Sequence, residues 1–182
     1  MDVKAPELFK EIEKRASFLV NEGYPQAIAS TAWEAATLGH SAPALFREIE
    51  TRASFLVKEG QPQTISNTAW AAATLGHSAP ALFREIETRA SFLVKEGKSR
   101  NIAKNTVWAY GKLQYDAPTL LAAVDSASEV LIKSGKTQHA SSNVALAFAE
   151  IGHKPDEFFN CREKHADEFV KRANEQDITN VS

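Results

Sequence analysis

A polar side chain returns at one place along this sequence every 37 or 38 residues: Ser30, then Asn67, Asn105 and Asn143. An amide carries both donors and acceptors, so a row of them suits recognition of a ligand's hydrogen-bonding edges rather than the making or breaking of bonds. On the same predicted helix face run two further rows, Glu34, Ala71, Ala109 and Ala147, then Thr37, Thr74, Lys112 and Glu150, with Gln26 and Gln63 at its start. Lys104 and Lys112 are the cations beside these rows. A purely structural account is also open. An asparagine near a helix start often bonds its own backbone, and any solvated helix face needs polar groups.

Residue types suited to catalysis do not assemble into a motif. There is no phosphate-cradling glycine loop, no His-Glu-x-x-His, no metal-spaced cysteine pair and no nucleophile elbow, so no catalytic residue, metal or cofactor is expected. His40, His77 and His153 each follow a glycine at the end of a predicted helix. Lying one repeat apart, about a helix-packing distance of 10 Å, they cannot share a metal whose bonds are near 2 Å, and they are expected as loop residues. The single cysteine, Cys161, reads as a small helix residue in a chain without disulfides.

What must position the polar row is a repeat. Residues 31–60 match residues 68–97 with one difference, Glu34 against Ala71. Gly23, Gly60, Gly97 and Gly135 recur at steps of 37, 37 and 38, as do Pro6, Pro43, Pro80 and Pro118. Trp33, Trp70 and Trp108 keep the same step, with Leu146 in the fourth place, and the last two units carry one extra residue before their second helix. Each unit holds two helical patterns separated by the glycine. In the first, Leu45, Ile49, Ala53 and Leu56 form an apolar stripe widened by Phe46 and Val57. Ser41 is placed as N-cap, Pro43 lies in the first turn and Gly60 is expected as a left-handed stop. Glu48 and Arg52, like Glu11 and Arg15 or Glu85 and Arg89, are four apart in the order that supports a helix by a few tenths of a kcal/mol.

The second pattern, from about Pro62 to Leu75, is alanine-rich and apolar around most of its circumference, which places it as the inner layer, with the tryptophans packing between neighbours. The fold expected is all-α, an α-solenoid of antiparallel helical hairpins with about nine helices: units 5–41, 42–78, 79–116 and 117–153, then a polar terminal helix over 154–175. No linker composition divides it.

With 182 residues, 43% hydrophobic, and 21 Lys and Arg against 23 Asp and Glu, the chain is a near-neutral globular one, not a strongly basic nucleic-acid binder. No apolar run reaches the roughly 18 residues a spanning helix needs, so no membrane partner is expected. The patterned helix begins almost at Met1, which leaves no room for a targeting signal and reads as a protein that is not imported, or a mature or truncated form.

The phrases P62QTISNTAWAAATLG76, N101IAKNTVWAYGKL113 and S142NVALAFAEIG152 resemble the octotricopeptide repeats of algal organelles, helix pairs with an Asn-Thr-x-Trp-Ala-x-x-x-Leu-Gly core. They are also similar to helical units of RAP-domain proteins and of subunits of the mitochondrial RNA-editing substrate-binding complex. The likeness covers nearly the whole chain. It implies binding of single-stranded RNA, alongside other proteins of an RNA-processing complex, in a mitochondrion or chloroplast. No nuclease-like RAP domain is read within these 182 residues, so the catalytic module the likeness would suggest is not expected here. Helical-repeat RNA binders read a splayed base with two or three side chains per unit. That places base contacts on Ser30, Asn67, Asn105 and Asn143, with Thr37 and Thr74, and phosphate contacts on Lys104 and Lys112. The tryptophans are expected to pack in the core rather than stack on bases. The same fold without RNA, a protein-binding scaffold, is the other function this sequence allows.

Overall fold

The computed structural model describes residues 5–96, 100–127, 145, 148–149, 152 and 156–166. Among them every element is helical. In chain order these are α1 (Pro6–Lys14), α2 (Ala16–Glu22), α3 (Pro25–Leu38), α4 (Pro43–Thr51), α5 (Ala53–Glu59), α6 (Pro62–Leu75), α7 (Pro80–Thr88), α8 (Ala90–Glu96), α9 (Arg100–Leu113), α10 (Pro118–Ser126) and α11 (Asp156–Lys164). No described helix is long and apolar enough to cross a membrane. The chain divides into two compact units, one ending at Arg89 and one beginning at Ala90.

The described residues hold eleven helices, and the outer helix expected as one in each repeat is two that meet at an arginine: α1 and α2 at Arg15, α4 and α5 at Arg52. At the junction the Arg52 N–H is shared between the carbonyls of Glu48 at 3.1 Å and Ile49 at 3.2 Å, a tightened turn with φ −108°. The apolar stripe is buried as its spacing dictates: Leu45, Phe46, Ile49, Ala53, Leu56 and Val57 all lie in the core. Each large side chain among them is worth about 1.5–3 kcal/mol of burial.

The arginine at the junction was expected to pair along its own helix with Glu48. It does something else. The Arg52 guanidinium sits 3.7 Å from the centre of the Phe55 ring and donates to the carbonyls of Val20 and, at 2.7 Å, Asn21 at the end of α2. Arg89 does the same to Val57 and, at 2.8 Å, Lys58 at the end of α5. In the other direction Glu13 of α1 accepts from the N–H groups of Ala44 at 2.9 Å and Leu45 at 3.0 Å, at the start of α4, and Glu50 accepts from Ala81 and, at 3.2 Å, Leu82, at the start of α7. A carboxylate thus meets the positive end of the next outer helix while a guanidinium meets the negative end of the previous one, the favourable sense for both helix dipoles. These carboxylates do the work assigned to Ser41. The N-cap position of α4 is Ala42, without a side-chain cap, and the Ser41 carbonyl instead accepts from His77 Nε2. At the N-terminal repeat Glu11 pairs with Lys14 at 2.6 Å, and that hydrogen bond holds its carboxyl below the usual carboxylate range.

The glycines divide into two kinds. Gly60, expected to be left-handed, is extended at φ −73°. It is there for space, since a Cβ would come within 2.3 Å of the Leu56 carbonyl oxygen and 3.1 Å of Ile65. The left-handed stops belong to the inner helices: Gly39 at φ 74° and Gly76 at φ 70°. There the N–H of His40 reaches the Ala35 carbonyl at 2.8 Å and that of Gly39 reaches Ala36 at 3.3 Å, the paired bonds that close a helix on a left-handed residue. His40 and His77 are therefore more than loop residues. Each stacks on a phenylalanine of the outer layer, Phe9 at 4.3 Å and Phe46 at 4.5 Å between ring centres.

In the second unit α10 packs on α8, α9 and α11. Leu93, Leu120, Leu121 and Val124 are buried. Phe158 of α11 is buried with its ring 5.5 Å from that of Phe148. The Phe158 N–H donates to Asp125 at 2.8 Å, so an aspartate at the repeat position of Glu13 and Glu50 keeps the same capping role. Of the terminal helix expected over 154–175, residues 156–166 are described.

Candidate nucleic-acid interface

The candidate row rides on the inner helices. Each opens with proline in its first turn or, in α9, with Arg100, and α3 and α6 close on left-handed glycines, so α3, α6 and α9 have equal length and their residues correspond one to one. In the first unit α3 and α6 pack along each other. Their buried faces are built from small residues, Ala29, Ala32, Ala35, Ala69 and Ala72, all without exposure, which lets the axes come close. Two contacts fix the register: the Thr64 hydroxyl donates to Gln26 Oε1 at 2.8 Å, and the rings of Trp33 and Trp70 lie 4.0 Å apart at 32°. Trp33 and Trp70 are half-buried and face each other, and neither is among the fully buried core residues.

In that register Ser30 lies level with Asn67 and Thr37 with Thr74. Ser30, Thr37 and Thr74 are exposed and Asn67 is half-buried. Gln63 Nε2 donates to Asn67 Oδ1 at 2.6 Å, which orients the amide and turns its own donor group away from Gln63. The Thr37 hydroxyl donates to the Trp33 carbonyl at 2.8 Å and keeps its lone pairs for an incoming donor. The row that runs between these positions is not a surface. Glu34 is exposed, but Ala71 and Ala109 have no exposure, so of the rows placed on this helix face the one through Glu34, Ala71 and Ala109 is closed off after its first member.

In the second unit Asn105 is half-buried and Lys112 exposed, both on α9. Lys104 belongs to the same helix, with its side chain outside the described residues, and Asn143 lies outside them altogether. Wheel reasoning missed the alternation of glutamate and arginine across the outer layer. The signal was in the sequence, since Glu13, Glu50, Glu87 and Asp125 recur with the repeat, as do Arg15, Arg52 and Arg89.

The model of one protein family, the RNA-editing substrate-binding complex 6 protein (RESC6), matches residues 1–181. Comparison with curated proteins gives no match. The family match bears out the likeness to subunits of an RNA-editing substrate-binding complex.

Proposed function

Because the chain belongs to the RNA-editing substrate-binding complex 6 protein family, we propose that it is a noncatalytic subunit of such a complex that holds single-stranded RNA along its inner helices. The reading takes units 5–41, 42–78, 79–116 and 117–153 and the terminal helix 154–175 as one solenoid of octotricopeptide type, acting in the mitochondrion beside other proteins of the complex. What supports it most is the pair of polar rows on α3 and α6, where Ser30, Asn67, Thr37 and Thr74 reach the surface at matched heights on packed helices. Asn105 and Lys112 stand at the corresponding places of α9, and Asn143 and Lys104 complete the set. Base edges meet the amides and hydroxyls, and phosphates meet the two lysines.

The test is the affinity of the full chain for a single-stranded RNA of mixed sequence, beside the variant Asn67→Ala with Asn105→Ala. Binding that falls about tenfold or more in the variant, each lost base contact being worth on the order of 1 kcal/mol, is the expected outcome. No binding by the unaltered chain at low salt would leave the protein-binding scaffold, a reading favoured by the net charge of −2.

A further inference from the structure

In the first unit an arginine bridges each pair of neighbouring outer helices. Arg52 runs from the end of α4 to the end of α2, where it takes the carbonyls of Val20 and Asn21, and Arg89 runs from the end of α7 to the carbonyls of Val57 and Lys58 in α5. The second unit holds the next such pair, α8 packed on α10. There Val94 and Lys95 stand at the places of Val57 and Lys58, but Ala127 stands at the place of Arg89. Ala122 and Ala123 likewise replace Arg84 and Glu85. Where the larger side chains are gone, a cleft of about 420 Å³ opens between α8 and α10, with Val94, Lys95, Ala122, Ala123, Ser126 and Ala127 in its walls. Sites for small ligands span about 300–1,000 Å³.

The groups around this cleft suit a cation that carries hydrogen-bond donors. Because α8 ends at Glu96, the carbonyls of Val94 and Lys95 fall among its last four, which find no partner within the helix. The Ser126 hydroxyl donates to the Ala122 carbonyl at 2.9 Å, so its lone pairs face an incoming donor. Between these acceptors the wall is made of alanine methyl groups, against which an aliphatic stem packs. Lys95 is exposed, as Lys58 is beside the guanidinium of Arg89, so its charge does not bar a second cation at the carbonyls.

We infer that the cleft between α8 and α10 takes an arginine side chain presented by another protein, which does from outside what Arg52 and Arg89 do from within the chain. Its guanidinium donates to the carbonyls of Val94 and Lys95 and to the Ser126 hydroxyl, and its stem lies on Ala122, Ala123 and Ala127. Arginine suits the cleft better than lysine, because its planar fork meets neighbouring acceptors together and is more weakly hydrated. RNA is the poorer occupant: its phosphates need donors, and the cleft offers acceptors. The inference stands whether or not the inner rows bind RNA, since α8 and α10 belong to the outer layer.

The experiment follows the isotope-labelled alanine methyl groups of the full chain by NMR while a short peptide, one arginine among alanines, is added. The signals of Ala122, Ala123 and Ala127 are expected to shift and saturate with a Kd on the order of 1 mM. Citrulline in place of the arginine keeps the shape without the charge and gives no shift, and lysine binds about fivefold or more weakly. Ala127→Arg fills the cleft as Arg89 fills its own groove. It abolishes the peptide's effect on Ala122 and Ala123 without lowering the unfolding midpoint, and it reduces incorporation of the chain into its complex about tenfold or more. Ala123→Leu, which closes the cleft with an apolar side chain, has the same effect on peptide and incorporation. Absence of a saturating shift, equal shifts with citrulline, the same methyl groups moved instead by a single-stranded RNA, self-association of the unaltered chain that Ala127→Arg abolishes, or full incorporation of both variants would each overturn the inference.

Discussion

Glu50 and Arg89 show how one residue can act beyond its own helix. The Glu50 carboxylate takes N–H groups that open α7, and the Arg89 guanidinium takes carbonyls that close α5, so the two tie the same pair of outer helices from opposite ends. Removing a side-chain cap from a helix start costs about 0.5–2 kcal/mol. Glu50→Ala is therefore expected to destabilise the fold by about that amount in urea denaturation, and Glu13→Ala by a similar amount. A glutamate that merely supported its own helix by an i,i+4 pair would cost only a few tenths of a kcal/mol. The two kinds of glycine separate by substitution. Asparagine tolerates a left-handed backbone, so Gly39→Asn recovers much of the roughly 1–2 kcal/mol that Gly39→Ala loses. At Gly60 the obstacle is the Leu56 oxygen, which any Cβ meets, so Gly60→Asn and Gly60→Ala are expected to unfold at equally reduced denaturant concentrations.

At the scale of the element, the inner helices were legible almost to the residue. Proline at the first position, a run of alanines around the tryptophan and a terminal Leu-Gly place α6 at Pro62–Leu75, where it is found. Those signals are local and agree with one another. The outer helix was legible as a buried stripe but not as two helices. The break at Arg52 carries no proline or glycine, and its partners, the carbonyls of Val20 and Asn21, lie 32 and 31 residues away. The same blindness misassigned Ser41, because the cap that replaces it comes from Glu13 on another repeat. The burial of the row through Ala71 and Ala109 was equally out of reach, since small residues can lie on a surface or in a core, and only packing decides. That packing has a direct check. Ala72 has no exposure in α6, and Ala72→Leu is expected to destabilise by about 1–3 kcal/mol through overpacking, read as a lower midpoint with an unchanged denaturant slope.

For the whole molecule, the repeat period announced an all-α protein from the sequence, and the family match places it among subunits of an RNA-editing substrate-binding complex. What the period does not carry is charge. The two cations proposed for phosphate contacts, Lys104 and Lys112, are few beside the amides and hydroxyls, so RNA held by these rows depends on hydrogen bonds more than on counterion release. This separates the proposed mode from nonspecific adhesion of an RNA to scattered surface lysines. The most direct test is the dependence of RNA affinity on salt. With each phosphate contact contributing about 0.7 to the slope of log affinity against log salt for a single strand, the proposed rows predict a slope of magnitude near 1.4, reduced by about half in Lys112→Ala. A slope of about 4 or steeper, or affinity unchanged by Lys112→Ala, would contradict the claim that these helices hold the RNA.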